Sequence, residues 1–214
     1  MHHAFDLDLP RTLDEVCDPR RLALVVYDMQ EGIFKQAPHL RSVVPAVVET
    51  IQAARDAGVR ILYCRHTSLP KELMGVSQLR TAMAWQRAGS VDEVRSLFLP
   101  NSPGWELLPE VAPLPSEAVF DKLGMSAFAG TALDMILRDC GIFAFAVVGV
   151  VLEIGIGPTV SHGTDLGYVP VVVADACGSV DDKARNRTLA TIDHTMMSIT
   201  TDVATFTGAL AARK

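Results

Sequence analysis

The composition of the chain limits the classes of protein to which it can belong. Its 214 residues are 49% hydrophobic and 21% charged, with a formal net charge of −6. This length suits one domain with a sizeable core, and the acidic balance disfavours nucleic acid or an anionic membrane surface as a partner. We therefore expect neither nucleic acid nor a membrane as its partner.

Targeting segments and disulfide bonds are not expected either. The first ten residues, MHHAFDLDLP, lack the cationic and apolar regions of a signal peptide. The longest apolar run, IFAFAVVGVV, is about half the length needed to span a bilayer. The cysteines have no Cys-x-x-Cys spacing, which indicates reduced thiols in a cytoplasmic protein rather than a disulfide framework or a zinc site. They are Cys17, Cys64, Cys140 and Cys177.

The predicted elements alternate between strand and helix from the start of the chain. Residues 21–30 (RLALVVYDMQ) form an apolar run followed by polar residues, which predicts a buried strand with Asp28 at its carboxyl end. Residues 42–58 have helical apolar spacing and end in a glycine, a typical helix stop, and residues 59–66 predict a second strand. Residues 67–115 are less regular. We expect them to form an excursion with short helices that covers one edge of the sheet.

The alternation resumes in the second half of the chain. Strands are predicted over residues 118–123, 142–151, 169–179 and 198–206, and helices over residues 130–141, 157–167 and 181–196. Strands that alternate with helices form a mostly parallel sheet with helices on both faces. The sequence therefore predicts an α/β fold in a single domain over residues 21–210, a three-layer αβα sandwich preceded by an N-terminal arm over residues 1–20.

Three chemically interesting features follow predicted strands, where ligands bind in such sheets. Asp28 and Lys122 each end an apolar strand, and the glycine-rich turn EIGIG at residues 153–157 follows a third. The Asp28 carboxylate and the Lys122 ammonium could form a dyad that transfers protons, or only a structural ion pair. The residues alone leave both interpretations open. Backbone N–H groups of the turn, just before Pro158, could bind an oxyanion, although a tight turn is the simpler explanation.

Three motifs resemble those of the isochorismatase-like hydrolase superfamily. LALVVYDMQEGIF is similar to its opening motif, FDKLGMSAFAGTALDMIL to its lysine motif, and GVVLEIGIGPTVSHGTDLGYVPVVVADA to its third motif. The resemblance implies a Rossmann-like, six-stranded parallel sheet and, in most members, a Cys–Asp–Lys triad. Asp28 and Lys122 match the aspartate and the lysine, whereas Gly155 stands where the cysteine belongs. A non-proline cis peptide at Val150–Val151, turned towards the oxyanion position, is also implied.

Glycine at the cysteine position is also what true isochorismatases of the superfamily carry. The resemblance then implies vinyl-ether hydrolysis of a small anionic substrate, in which the aspartate protonates an alkene carbon and water captures the resulting cation. Two alternatives remain open. Asp28 could act as a general base towards water on an amide or other C–N bond, with Lys122 and the turn amides stabilising an oxyanion, or the chain could be a silent binding homologue.

Candidate substrate contacts lie mainly in the excursion. Residues 76–89 fall near the region that caps the pocket in the superfamily, and Gln86 is one polar candidate there. Arg80 and Arg87, two helical turns apart, would share a helix face and could grip a carboxylate, although a solvated helix face is the alternative for each. The expected substrate-binding residues are Phe34, Gln78, Arg80, Trp85, Arg87 and Val151.

No metal and no other cofactor is expected. His66 follows a strand but has no second close ligand, so we interpret it as a structural or pocket-lining residue. Cys64 is interpreted as a small buried apolar residue rather than a substitute nucleophile, and Glu153 as a structural carboxylate at a helix start. We also expect the chain to form a homodimer or homotetramer.

Overall fold

The computed structural model describes residues 1–213 and begins with a small hairpin. Strands β1 (His2–Ala4) and β2 (Leu7–Leu9) pair antiparallel and form a separate two-stranded sheet. A single turn of helix, α1 (Leu13–Val16), follows and is held by a capping box between Thr12 and Glu15. The predicted N-terminal arm therefore has regular structure of its own, outside the main sheet.

The main sheet has six parallel strands, which confirms the predicted fold class. Its order is β5–β4–β3–β6–β7–β8, and the two central strands, β3 and β6, are buried along their whole length. Strands buried on both faces read as continuous apolar runs, which is why they could be located from sequence. The strands are β3 (Leu22–Tyr27), β4 (Arg60–His66), β5 (Ala118–Lys122), β6 (Ala144–Val150), β7 (Val169–Gly178) and β8 (Ile199–Thr201).

Helices cover both faces of this sheet and make the fold three-layered. They are α2 (Glu31–Gln36), α3 (Val44–Ala57), α4 (Val76–Gln86), α5 (Leu133–Asp139), α6 (Gly157–Asp165), α7 (Asp182–Thr195) and α8 (Val203–Ala211). Successive residues of β3 contribute to two hydrophobic clusters: Leu24 and Val26 join α3 and α8 on one face, and Val25 and Tyr27 join α5 and α6 on the other. This alternation places the Tyr27 side chain on the α6 face.

The C-terminal end departs from the sequence prediction. The strand predicted over residues 198–206 is confined to β8, and α8 begins directly after it. Asp202 caps α8 by accepting a hydrogen bond from Thr205 N at 2.7 Å, and Asp175 accepts one from Val203 N at 2.9 Å. Val203, Phe206 and Leu210 are buried at helical spacing. An amphipathic helix therefore buries the apolar side chains of this segment, and no longer strand forms.

The predicted excursion packs over the carboxyl ends of β3 and β4. It contains α4 and three short 3₁₀ helices, Lys71–Leu73, Val91–Glu93 and Pro109–Val111. Backbone hydrogen bonds attach it to the strand ends: Leu108 N donates to Met29 O at 2.8 Å, and Thr67 N donates to Lys122 O, at the end of β5, at 2.9 Å. The segment thus lies over the edge of the sheet where ligands bind in this class of fold. Nowhere in residues 1–213 is a helix both long and apolar enough to cross a membrane.

Candidate active site

Asp28 and Lys122 meet at the carboxyl end of the sheet. Asp28 follows β3 and Lys122 ends β5, with β4 between them. Lys122 Nζ lies 2.8 Å from Asp28 Oδ2, and both side chains are buried, with 1% and 9% of their surface exposed respectively. Cys64 of β4 also contacts the carboxyl, with its Sγ 3.9 Å from Asp28 Oδ1. The side chains therefore lie within the salt-bridge distance that joint action requires.

Burial sets the protonation tendencies of the groups around this pair. It raises the pKa of the Asp28 carboxyl above its ordinary value, although the adjacent Lys122 charge and hydrogen bond oppose that shift. Burial, assisted by the Lys122 charge, lowers the pKa of His66 to about 4, so its imidazole is neutral at neutral pH. The pKa of the Cys64 thiol is raised, first by burial and then by Asp28. Cys64 is therefore a thiol rather than a thiolate, in keeping with its interpretation as a buried apolar residue.

The glycine-rich turn forms one turn of π-helix after β6. The Val150–Val151 peptide bond is cis, as the resemblance implies. The π-helical turn spans Leu152–Ile156, and Gly155 N and Ile156 N both donate to Val151 O, at 3.0 and 3.2 Å. These two amides are therefore already bonded within the turn, in contrast to the free donors expected of a simple helix start.

Glu153 is a structural carboxylate. Its two oxygens accept hydrogen bonds from Ser179 Oγ at 2.6 Å and from Val180 N at 2.9 Å. It thereby joins the turn after β6 to the loop after β7.

The space beside Gly155 is filled by the Tyr27 side chain. A Cβ built on Gly155 would overlap Tyr27 Oη and Cζ and would stand 2.5 Å from Cε1, closer than real Cβ contacts allow. Tyr27 itself is buried, and its hydroxyl donates to the carbonyl oxygen of Met125. Position 155 thus has no room for a side chain while Tyr27 keeps this conformation.

A cavity of about 460 Å³ lies beside the ion pair, between α4 and the strand ends. His66, which pairs with Lys122 across β4 and β5, lines it together with Gly124, whose carbonyl is 3.4 Å from Lys122 Nζ. The larger apolar side chains of the wall come from Met74, Trp85, Leu97, Phe98, Leu123 and Met125, and Gln, Ser, Thr and Arg side chains make up much of the rest. The cavity and the ion pair are therefore separated by a single layer of residues.

Some of the predicted substrate contacts line the cavity and others do not. Gln78 and Trp85 line it, whereas Arg80, Arg87 and Val151 do not. Arg87 is the left-handed C-cap of α4, with φ of 53°, so the helical spacing that would place it on one face with Arg80 ends before it. Phe34 is only 2% exposed and packs in the core cluster with α3.

Two polar residues at this end of the sheet were not singled out from sequence. Arg95 lines the cavity, and both its N–H and its carbonyl are held by the Gln86 side chain at 2.9 Å. Gln30 is completely buried and bridges two segments: its amide donates to His66 O and Trp105 O at 2.9 Å and accepts from His66 N at 2.7 Å. A buried Gln two residues after Asp28 could have been suspected from the DMQ motif, but no sequence signal marked Arg95.

Groups of acidic, histidine and cysteine side chains suitable for a metal are absent from residues 1–213. No three such residues come together there. His66, the one candidate raised by the sequence, instead packs edge-on against the Phe98 ring, with centroids 5.2 Å apart.

Comparison with known proteins agrees with this architecture. A family model described as Isochorismatase domain matches residues 22–205. Ureidoacrylate amidohydrolase RutB of Acinetobacter baylyi is 27% identical, covering 74% of this chain and 71% of that protein. The protein of the same name from Serratia proteamaculans is 25% identical, covering 91% and 84%.

Solved structures show the same fold. A cysteine hydrolase from Pseudomonas syringae pv. phaseolicola superposes with a TM-score of 0.78 at 23% identity, covering 92% of this chain and 95% of that one. N-carbamoylsarcosine amidase from Thermoplasma acidophilum has a TM-score of 0.67 at 22% identity, covering 86% and 96%. With a family model that matches most of its length and a three-layer fold shared with these structures, the chain belongs to the isochorismatase family of hydrolases.

Proposed function

We propose that this hydrolase works without a nucleophilic cysteine and uses Asp28 and Lys122 as an acid/base pair on a small molecule. The observation that carries the proposal is the buried ion pair with its 2.8 Å contact, next to a turn in which position 155 has no side chain and no space for one. A covalent thiol mechanism needs a thiolate at the reacting centre. Cys64, the cysteine in contact with Asp28, is fully buried and its pKa is raised.

Vinyl-ether hydrolysis is the reaction that this arrangement supports best. A general acid must hold its proton, and burial acts in that direction by raising the pKa of Asp28 above its ordinary value. Transfer of that proton to the alkene carbon leaves an oxocarbenium ion, which water attacks while losing a proton to the Asp28 carboxylate. The resulting hemiacetal or hemiketal then breaks down to a carbonyl compound and an alcohol. The Lys122 ammonium, 2.8 Å away, would stabilise the carboxylate formed by proton transfer.

The cavity favours a substrate with an apolar body and an anionic group. The exposed surface of its walls is mainly apolar, while Arg95 supplies a cation and Gln78 a neutral hydrogen-bonding amide. A guanidinium can bind a carboxylate through two parallel hydrogen bonds. Arg95 therefore replaces the Arg80 and Arg87 pair as the residue proposed to bind the anionic group.

Hydrolysis of an amide or another C–N bond by activated water is the second candidate. It is favoured by the names of the relatives, two ureidoacrylate amidohydrolases and an N-carbamoylsarcosine amidase. In this reaction ionised Asp28 would take a proton from water, and Lys122 would stabilise the developing negative charge. A silent binding protein would keep the cavity but show neither activity.

A substrate panel tests these alternatives directly. Carboxylated vinyl ethers and N-carbamoyl or simple amides should be compared with the native protein and with Asp28→Asn. We expect turnover of a vinyl ether, and a loss of at least about 100-fold in kcat in Asp28→Asn because the acid is removed. Asp121→Asn is the matched control, since Asp121 pairs with Arg65 at 2.8 Å on the same strand as Lys122.

Each outcome of the panel is decisive. Turnover of amides but not of vinyl ethers would establish the second candidate, and no turnover of either class would leave the binding protein. Full activity in Asp28→Asn would contradict every version of the acid/base proposal. Circular dichroism of both variants shows whether the fold is retained.

A further inference from the structure

Tyr27 occupies the space that a side chain at position 155 would need. The residue is 1% exposed and ends β3, one position before Asp28. Three of its atoms, Oη, Cζ and Cε1, lie within or at 2.5 Å of the place where a Cβ on Gly155 would stand. All three belong to the rigid phenol group of a fully buried tyrosine, so they cannot swing away as the end of a flexible chain would. The overlap therefore opposes any side chain at position 155, including a cysteine.

The hydroxyl of Tyr27 links this space to the cavity. It donates a hydrogen bond to the carbonyl oxygen of Met125, and Met125 lines the cavity. Around it, Thr159 Oγ1 donates to Gly155 O at 2.7 Å and accepts from Ala127 N at 2.9 Å. The segment after Lys122 is thus attached to the turn after β6 on one side and to Tyr27 on the other.

The ring of Tyr27 also contacts the ammonium of the ion pair. Lys122 Nζ lies 4.3 Å from the ring centroid, within the range of a cation–π interaction. Burial, and next the negative charge of Asp28, raises the pKa of the Tyr27 hydroxyl well above its ordinary value. The phenol therefore stays protonated and acts as a donor, not as a nucleophile or a base.

We infer that Tyr27 and Gly155 are an interdependent pair, in which the tyrosine ring takes the volume of a nucleophilic side chain and positions the Lys122 ammonium and the Met125 carbonyl. Tyr27 is a positioning residue, because it acts through Lys122 and Met125. Conversion to thiol chemistry would then require two substitutions, since a cysteine at position 155 fits only when the ring is removed. The catalytic meaning of the pair rests on the proposed cysteine-free function, but the packing itself can be measured without any substrate.

A double-mutant cycle of thermal stability tests the packing. Gly155→Ala adds one methyl group against the ring and should lower Tm by roughly 3–10 °C. Tyr27→Leu removes the ring. In that background Gly155→Ala should therefore lower Tm by no more than about 2 °C, and it could even raise it. Tyr27→Phe keeps Cζ and Cε1, and should give no such rescue. Gly208→Ala is the control, because a Cβ there meets no atom within 4 Å.

The cycle decides the inference in every outcome. It is overturned if Gly155→Ala has the Tm of the native protein, or if Tyr27→Leu leaves the cost of Gly155→Ala unchanged. If Gly155→Ala does not fold alone but folds together with Tyr27→Leu, the inference is supported. If Tyr27→Leu itself does not fold, Tyr27→Ile takes its place in the cycle, because it also removes the ring.

Kinetic constants measured with a substrate found in the panel would show whether Tyr27 positions Lys122 and Met125 or only fills space. Tyr27→Phe keeps the ring against Lys122 but releases Met125, so KM should rise several-fold while the pH dependence of kcat is unchanged. Tyr27→Leu also removes the contact with Lys122, so its pH profile should shift. Unchanged KM and pH profiles in both variants would overturn the positioning role. If the panel yields no turnover, the proposed function fails, and the stability cycle still decides whether the pair is interdependent.

Discussion

The Asp28 carboxyl is subject to two opposing effects whose balance the sequence could not settle. Its position after an apolar strand predicted a buried carboxyl, and Lys122 was a candidate partner that would lower its pKa. In the structure burial outweighs the ammonium, and the pKa of Asp28 is raised. Depth of burial depends on the segments that cover Asp28, and these come from distant parts of the chain.

The pH profile should distinguish the two proposed roles of Asp28. If it acts as a general acid, kcat/KM should fall about tenfold per pH unit above its raised pKa, because only the protonated carboxyl can donate. If it acts as a general base, kcat/KM should instead rise through the same pKa and then level off. Initial rates measured from about pH 4 to about pH 9 would show which slope is present. A rise of kcat/KM with pH would contradict the general-acid role.

His66 should make the stability of the protein depend on pH. Its pKa in the folded state is lowered to about 4, so the fold favours the neutral ring. The stabilisation is present above the pKa of the unfolded chain, about 6.5, and is lost as pH falls from there towards 4. The full shift corresponds to about 3 kcal/mol, and partial exposure of the ring lowers this figure.

Urea unfolding at about pH 7.5 and about pH 4.5 would measure this effect. The native protein should lose more stability between the two pH values than His66→Asn, by about 1–3 kcal/mol. The same pH dependence in both proteins would show that His66 is not held neutral by the fold.

Among the structural elements, α4 and the segment after it show where sequence periodicity stops being informative. The arginine pair was predicted from a spacing of two helical turns. The structure ends α4 at Gln86, and Arg87 takes up a left-handed conformation. Arg95 comes to the cavity instead, because Gln86 bonds both of its backbone groups. Such a side-chain bridge between a helix and a loop leaves no periodic pattern in the sequence.

Arg95 and Arg80 provide a matched pair for testing anion binding. Arg95→Gln should raise KM for a carboxylated substrate by about tenfold, because a charged hydrogen-bonding partner is removed. Arg80→Gln should leave KM within about twofold, since Arg80 is exposed and does not line the cavity. An equal rise in KM in the two variants would mean that both arginines attract the anionic substrate only at long range. Added salt would weaken such an attraction.

On the scale of the whole molecule, stability comes from two hydrophobic clusters on the faces of one parallel sheet. The β1–β2 hairpin lies outside this sheet, and its Phe5 is 96% exposed. Deletion of residues 2–9 should therefore change the free energy of unfolding by less than about 1 kcal/mol, as for other surface changes. Urea titration of the truncated and complete proteins would measure the difference. A large loss would mean that the hairpin has a structural role beyond the contacts seen in the monomer.

Local patterns in the sequence were sufficient to determine the class of fold and the meeting of Asp28 with Lys122. Parallel strands buried on both faces are continuous apolar runs, and their carboxyl ends must lie at one edge of the sheet, so residues that follow them are brought together. Only the tertiary structure decided what fills the space beside Gly155. Tyr27 was read simply as part of an apolar strand, because its partners Gly155 and Met125 are far from it in the chain. Packing between distant segments has no period along a sequence, and it decides which groups are buried, which amides are free and which side chains reach a cavity.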